Sequence, residues 1–302
     1  MVLPIYGLGG MGKSTLAQLV YNDTQFKQYY DHRAWVCVSQ EFDLKKIGRS
    51  IISQLSTDGG QHNTDTLQIQ QCLDDMMLHG KKVLIVLDNI WEEDVSKLEK
   101  LKTMLHVDKK GNTVDVIVTT RSESIAKKIC TNEPHKVSPL NDVCLDRLKR
   151  SSGFEHKSNK QKLEQIGLEI ANKCGGVVLA AQALGYMLKT KDLHGWSEMN
   201  NSDIWNESSE VDNSQHMKVL SSLQLCYEGM LPTLRLCFSY CAIFPKGHDI
   251  HEDDLIHQWL ALDFIKKPSE GKEFIKQLLG MSFLQHSKLP LVSYYTDATI
   301  FP

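Results

Sequence analysis

The sequence lacks the features that mark three common classes of protein. No apolar run approaches the roughly 18 residues that a membrane-spanning helix needs, and runs such as Val83 to Leu87 are among the longest. The N-terminus has no basic stretch followed by an apolar core, so no secretory signal is predicted. The cysteines form no Cys-x-x-Cys pair and are too sparse for a disulfide scaffold. We therefore expect a soluble, unsecreted protein with reduced thiols.

An excess of charge of one sign is also missing. The 34 Lys and Arg residues nearly balance the 37 Asp and Glu residues, which gives a net charge of -3 and excludes a polycationic chain that coats nucleic acid. Hydrophobic residues make up 41% and charged residues 24%, so the composition is that of a folded globular protein rather than a disordered one. A chain of 302 residues accommodates about two to three domains.

Short apolar runs alternate with helical periodicity in the first half of the chain. The runs are Leu3–Tyr6, Ala34–Val38, Val83–Leu87 and Val114–Thr120. They are apolar at nearly every position rather than at every second one, which is typical of strands in a parallel sheet that is covered on both faces. We therefore predict a doubly wound α/β domain over residues 1–137.

Helical spacing replaces the strand signal in the rest of the chain. Apolar residues recur at helical spacing over residues 163–174 and again over 177–188. A polar stretch rich in Asn, Ser and Glu at about residues 200–215 has the composition of a linker. We therefore predict a small helical subdomain at 138–205 and a third subdomain at 206–302.

The segment between the first strand and the following helix has the pattern of a phosphate-binding loop. It reads Gly7-x-x-x-x-Gly12-Lys13-Ser14, and its glycines let the backbone turn successive N–H groups toward a β-phosphate. Lys13 would bridge the β- and γ-phosphates, and the Ser14 hydroxyl would bind Mg²⁺. A flexible glycine-rich turn is the alternative. The predicted nucleotide-binding residues of the loop are Gly7, Gly9, Gly10, Gly12, Lys13, Ser14 and Thr15.

A second metal ligand is expected at the carboxyl end of a neighbouring buried strand. Asp88 directly follows the apolar run Val83–Leu87, and a charge there is costly unless it is paired or binds a metal. We predict that Ser14 and Asp88 hold Mg²⁺, with a helix N-cap role for Asp88 as the alternative. Asn89 is the candidate catalytic position, because it can orient a water, but it cannot accept a proton as a carboxylate can. Fast hydrolysis is therefore not expected.

Arg121 occupies the corresponding position after another apolar strand, residues 116–120. A guanidinium is always charged and is suited to bidentate phosphate recognition. We expect Arg121 to contact the γ-phosphate or ADP, and a surface ion pair is the alternative.

Together these segments resemble the NB-ARC nucleotide-binding region of plant disease-resistance proteins of the nucleotide-binding, leucine-rich-repeat class. Gly7–Thr15 is similar to the family's phosphate loop, Leu84–Trp91 to its metal-binding strand and Val116–Arg121 to its sensor strand. Cys174–Ala181 stands at the position of the family's Gly-Leu-Pro-Leu motif, and the segment from Cys237 to Phe264 resembles the start of its winged-helix subdomain. The tryptophan that closes the metal-binding strand is typical of the branch with an N-terminal coiled coil.

The resemblance implies a molecular switch in plant defence that binds ADP or ATP with Mg²⁺. It implies that Val178 and Leu179 contact the nucleotide and that residues 206–302 form a winged-helix-like, C-terminally incomplete subdomain. It further implies a homo-oligomer or contact with other immune receptors, and a cytoplasmic location with a nuclear or membrane-peripheral pool. No DNA binding is expected, because residues 246–262 contain one lysine, no arginine and four acidic residues.

The chain departs from the family pattern at four places. Asn89 stands where an acidic residue is usual, and Val178 replaces the proline of the Gly-Leu-Pro-Leu motif. The usual Trp and Phe are missing near residues 143–148, and the tail at 289–302 has no Met-His-Asp motif. Leucine-rich repeats and an N-terminal signalling domain are also absent from the sequence, so we expect a fragment, a truncated product or a degenerate paralogue. Two alternatives to a switch remain: a decoy or scaffold with weak or no nucleotide binding, and a slow P-loop ATPase.

Overall fold

The computed structural model describes residues 1–38, 42–55, 66–105, 114–205, 215–245, 248–286 and 299–301. The chain divides into two compact units, Met1–Ser138 and Pro139–Pro302. The predicted linker and the divergent tail lie largely outside the described residues. The finer division of the second unit into a helical and a winged-helix-like subdomain stays a prediction.

The first unit is a five-stranded parallel sheet with its connecting helices. Its strands are β1 (Val2–Tyr6), β2 (His32–Cys37), β3 (Val83–Ile90), β4 (Val114–Thr120) and β5 (His135–Lys136). Its helices are α1 (Lys13–Asn22), α2 (Thr24–Tyr29), α3 (Leu44–Leu55), α4 (Thr66–Leu78), α5 (Val95–Met104) and α6 (Glu123–Ile129). The spatial order is β2-β3-β4-β1-β5, and each neighbouring pair is parallel. The predicted parallel α/β fold is confirmed.

The helices of the first unit cover both faces of the sheet. The crossover from β1 to β2 runs in one direction along the sheet and the later crossovers run in the other. Because such crossovers are right-handed, α1 and α2 lie on one face and α3 to α6 on the opposite face. Accordingly, α1 contacts β1, β3 and β4, whereas α3, α4, α5 and α6 contact one another in sequence order. The sheet is therefore doubly wound.

One expectation about the sheet is wrong. Asp88 was expected on the strand next to the one that leads into the glycine loop, but β4 pairs with both β1 and β3 and separates them. The sequence does not show this order, because strands buried on both faces have the same apolar pattern wherever they stand in the sheet. The carboxyl ends of β1, β3 and β4 nevertheless meet at one edge, since Tyr6 is level with Thr120 and Leu87 with Val118.

The second unit is mainly helical. Its helices are α7 (Asn141–Ser152), α8 (Lys160–Lys173), α9 (Val178–Leu188), α10 (Leu193–Asn200), α11 (Gln215–Glu228), α12 (Pro232–Tyr240), α13 (Glu252–Ala261) and α14 (Pro268–Gly280). Three short strands, β6 (Ile250–His251), β7 (Gln285–His286) and β8 (Thr299–Phe301), form an antiparallel sheet with β8 in the middle. Helix α7 packs on α8 and α9, and α9 also packs on α11. Trp196 and Trp259 are fully buried and anchor the packing.

Candidate functional site

The glycine loop leaves β1 and enters α1 through backbone conformations that favour glycine. Gly10 has a φ of 76° and Gly12 a φ of 92°, both in the left-handed region. Gly12 is the N-cap of α1 and makes no side-chain cap hydrogen bond. The N–H groups of the first helical turn therefore have no intrahelical acceptor until Leu16, whose N–H donates to the Gly12 carbonyl at 2.8 Å. Such a turn offers several donors and a positive potential to an anion.

Lys13 folds back over this loop. Its Nζ donates to the Leu8 carbonyl at 2.8 Å, and the residue is only 9% exposed. Burial, and after it repulsion from Arg121, lowers the pKa of Lys13 to about 8, whereas Asp88 acts in the opposite direction. A phosphate would supply the negative charge that this buried ammonium is missing.

The structure brings Ser14 and Asp88 together. Ser14 directly follows Lys13 in α1, and Asp88 lies near the end of β3. Ser14 Oγ donates to Asp88 Oδ1 at 2.7 Å. The contact follows from strand alternation: Val83, Ile85 and Leu87 pack in the core under α3 to α6, so Asp88 projects toward the face that carries α1. A hydroxyl and a carboxylate thus stand at the uncapped end of α1.

Thr119 completes this cluster and was not singled out from the sequence. Near the end of β4, its side chain projects to the same face of the sheet as that of Asp88 on β3. Its Oγ1 donates to Asp88 Oδ1 at 2.5 Å. The same hydroxyl accepts the Asn89 N–H at 2.8 Å. A threonine near the end of a buried strand carries no distinctive signal, because threonine is common in strands. Its role becomes visible only when β4 is known to lie beside β3.

Asn89 has a backbone role that its sequence position did not indicate. Its φ is 69°, and the β3–β4 register shifts between Leu87 and Ile90. Asparagine is one of the few residues that adopt this left-handed conformation readily. The irregularity ends the regular β3–β4 pairing after Leu87. The predicted water-orienting role of Asn89 stays a prediction.

Arg121 follows β4 and lies against the glycine loop. Its guanidinium carbon is 4.9 Å from the centre of the Trp91 ring, a cation–π distance. A Cβ atom at Gly9 would stand 3.3 Å from the guanidinium. The loop therefore approaches Arg121 closely at Gly9, and the absence of a side chain there leaves room for the guanidinium. The glycine loop, Asp88 and Arg121 therefore form one cluster at the carboxyl edge of the sheet.

The remaining predicted site residues, Val178 and Leu179, belong to the second unit. They are the first two residues of α9, and Val177 is the N-cap. Proline is well tolerated at the first position of a helix, so valine in place of the family's proline leaves this helix start intact. Their contact with a nucleotide stays a prediction.

The oxygen ligands of this cluster fit Mg²⁺. A hydroxyl and one carboxylate are hard donors, and Mg²⁺ commonly takes its other positions from phosphates and water. Among the described residues, no group of three or more His, Cys, Asp or Glu side chains could hold a metal ion. With one hydroxyl and one carboxylate, the donor set suits a magnesium ion that arrives with a phosphate ligand. In the part of the chain that the structure describes, no helix has both the length and the apolar character needed to cross a bilayer.

The fold and the site define a class: a parallel α/β protein whose first strand leads into a glycine loop with the phosphate-binding pattern. Comparison with family models agrees, since the NB-ARC domain model matches residues 1–158 and the disease resistance protein winged helix domain model matches residues 243–297. The first match covers just over half of the chain. The chain belongs to the NB-ARC family.

Its relatives include plant disease resistance proteins. Disease resistance protein RGA2 of Solanum bulbocastanum is 35% identical over 94% of this chain, and disease resistance RPP13-like protein 4 of Arabidopsis thaliana is 34% identical over 88%. The chain spans 29% and 31% of the length of these relatives. Among solved structures, Cdc6p of Pyrobaculum aerophilum matches 99% of this chain and 83% of its own at 14% identity, with a TM-score of 0.44.

Proposed function

We propose that this chain is the nucleotide-dependent switch region of a plant disease-resistance protein and binds ADP or ATP together with Mg²⁺. The observation that carries the proposal is the hydrogen bond from Ser14 Oγ to Asp88 Oδ1 at the uncapped N-terminus of α1. It places a hydroxyl and a carboxylate beside free backbone donors and a buried lysine. A nucleoside di- or triphosphate with Mg²⁺ satisfies all of these groups at once.

Each residue of the cluster has a separate task in this proposal. The first-turn amides and Lys13 bind the phosphate chain, and Ser14 and Asp88 hold Mg²⁺, which neutralises part of the phosphate charge when bound. Arg121 lies beside Gly9, where it can contact the terminal phosphate. Switching requires that ATP and ADP favour different arrangements, because a ligand that binds two states equally shifts neither. We assign this discrimination to Arg121.

Slow or absent hydrolysis follows from the residue after the metal ligand. The Asn89 side chain can donate to a water or accept from it but cannot take its proton. The proposal therefore favours a switch whose state is set by exchange of nucleotide over a continuously hydrolysing ATPase. The location in the cytoplasm and the association with further copies or other immune receptors belong to this proposal, and they rest on the family alone.

The scaffold alternative is less well supported by the geometry. A chain that had lost nucleotide binding would gain nothing from keeping Lys13 almost fully buried at a lowered pKa. It would equally have no use for hydroxyl groups directed at one carboxylate.

Thermal unfolding with and without Mg-ADP tests the proposal. Ligand at 100 times its dissociation constant stabilises the folded state by about 2.7 kcal/mol, so the melting temperature should rise. Lys13→Ala should lose most of this rise. Lys27→Ala, which removes an exposed lysine of α2, is the matched control and should keep it. A folded wild-type chain that shows no rise at millimolar Mg-ADP would contradict the proposal and favour the scaffold.

A further inference from the structure

Thr119 is a buried polar residue that directly follows three buried apolar residues of β4. It is 1% exposed, and the three residues before it, Val116 to Val118, are buried hydrophobic residues. Valine has nearly the same shape and would fill the same space without a polar atom. A hydroxyl in such a place requires hydrogen-bond partners, because burying it without them is costly.

The partners of the Thr119 hydroxyl fix the direction of its hydrogen bonds. The Asn89 N–H can only donate, so the hydroxyl oxygen accepts from it at 2.8 Å. The single hydroxyl proton then points to Asp88 Oδ1 at 2.5 Å. One side chain therefore connects β4 to two successive residues of β3.

These bonds act where the β3–β4 ladder is irregular. The β3–β4 register shifts between Leu87 and Ile90, so regular backbone pairing with β4 does not hold Asp88 and Asn89, although Asp88 still pairs with Cys37 of β2 on its other side. The Thr119 hydroxyl replaces the pairing with β4, with one bond to the backbone of Asn89 and one to the side chain of Asp88. This fixes both the path of the chain and the rotation of the carboxylate.

The rotation matters because the two oxygens of Asp88 are used differently. Ser14 and Thr119 both donate to Oδ1. Among the hydrogen bonds between described residues, none ends on Oδ2. A carboxylate anchored through one oxygen presents the other in a defined direction, which is what a cation ligand needs, since partners behind a ligand set its orientation.

We propose that Thr119 is a positioning residue that orients the Asp88 carboxylate for Mg²⁺, and this inference rests on the proposed function. It deepens that function, because it names the group that couples magnesium to nucleotide affinity. Thr119 itself would contact neither the nucleotide nor the ion.

Isothermal titration of ADP into the full chain, in EDTA and at a series of Mg²⁺ concentrations, tests this role. The wild-type chain should bind ADP more tightly with Mg²⁺. Thr119→Val keeps the shape and the strand preference but removes the hydroxyl. It should bind ADP in EDTA as the wild type does, while the Mg²⁺ concentration needed for half of the tightening should rise about 10- to 100-fold.

Two further variants separate orientation from folding. Thr119→Ser and Thr119→Ala both remove the methyl group and differ only in the hydroxyl, so Ser should restore the Mg²⁺ response and Ala should not. This pair decides the question if the valine variant does not fold. Thr120→Val is the matched control, because the Thr120 hydroxyl accepts from the Ser122 N–H at 3.2 Å and is not bonded to Asp88. It should keep the wild-type response.

The outcomes distinguish this inference from the proposed function. A wild-type Mg²⁺ response in Thr119→Val or Thr119→Ala would overturn the positioning role and leave nucleotide binding intact. An equal loss of ADP affinity with and without Mg²⁺ would overturn it too, because it would show a general structural effect. A wild-type chain that binds no ADP under either condition would overturn both proposals together.

Discussion

At the scale of single residues, a binding role could be predicted from the sequence where a charged or hydroxyl side chain follows a distinctive local pattern. Lys13 and Ser14 end a glycine pattern, and Asp88 ends a buried apolar run. Thr119 has no such context: its importance depends on β4 lying beside β3, which no local pattern specifies. The structure was therefore needed to identify the Thr119 hydroxyl as part of the site.

Lys13 gives a pH prediction at this scale. Its pKa in the unligated chain is about 8, and a bound polyphosphate raises it, because negative charge favours the ammonium form. ADP binding in EDTA should therefore take up about half a proton at pH 8, and the affinity should fall by up to about tenfold per pH unit above that. Below pH 7 this contribution should vanish, since Lys13 is charged in both states.

Titration calorimetry in two buffers of different ionisation enthalpy measures this proton uptake. Lys13→Arg serves as the control, because a guanidinium stays charged throughout this range. Its binding, even if weaker, should show no uptake at pH 8. Equal proton uptake by the wild type and Lys13→Arg would assign the proton to another group and contradict the prediction.

At the scale of elements, segments with a clear apolar pattern could be predicted and segments without one could not. The predicted span of β4 is identical to the observed one, and α9 differs by one residue at its start. Helix α2 has six residues and none is buried, so its sequence shows no apolar repeat from which a helix could be predicted. Helix α7 buries Cys144, Leu148 and Ser152, a face that is too polar to register as a helical repeat.

Gly176 tests the packing at the start of α9. It has a φ of 78°, and a Cβ there would stand 2.4 Å from Pro139 Cβ and 2.8 Å from the Leu140 nitrogen. Gly176→Ala should therefore lower the free energy of unfolding by about 2–4 kcal/mol, from backbone strain and overpacking together. Chemical denaturation measures it.

Gly153→Ala is the control that isolates the contact. Gly153 has a φ of 64° but nothing within 4 Å of its would-be Cβ, so only the strain of about 1–2 kcal/mol should appear. Equal losses in the two variants would show that the approach of Pro139 to Gly176 contributes nothing.

At the scale of the whole molecule, the two units have different parts in the proposed function. The phosphate and metal ligands all lie in Met1–Ser138, whereas Val178 and Leu179 lie in the second unit. In the sequence, the strand pattern stops near residue 137, where the first predicted domain ends. The sequence did not predict the short antiparallel strands of the second unit, since segments of two or three residues carry no measurable periodicity.

A switch must transmit the state of its nucleotide beyond the residues that bind it. Hydrogen exchange of the full chain with Mg-ADP and with a non-hydrolysable Mg-ATP analogue should therefore differ in α9 of the second unit as well as in the loop. Arg121→Ala should reduce the difference, because the proposal assigns the discrimination to this side chain. Differences confined to residues 1–138 would contradict a switch while leaving nucleotide binding in place.

The central claim is that the backbone of the glycine loop and the first turn of α1 bind a phosphate chain. Amide-resolved NMR of the isotopically labelled chain, titrated with Mg-ADP, observes those N–H groups directly. The claim predicts that the largest shifts fall on Gly10, Gly12, Lys13, Ser14 and Thr15 and saturate at one nucleotide per chain. Saturable binding that leaves these five amide resonances unmoved would contradict it.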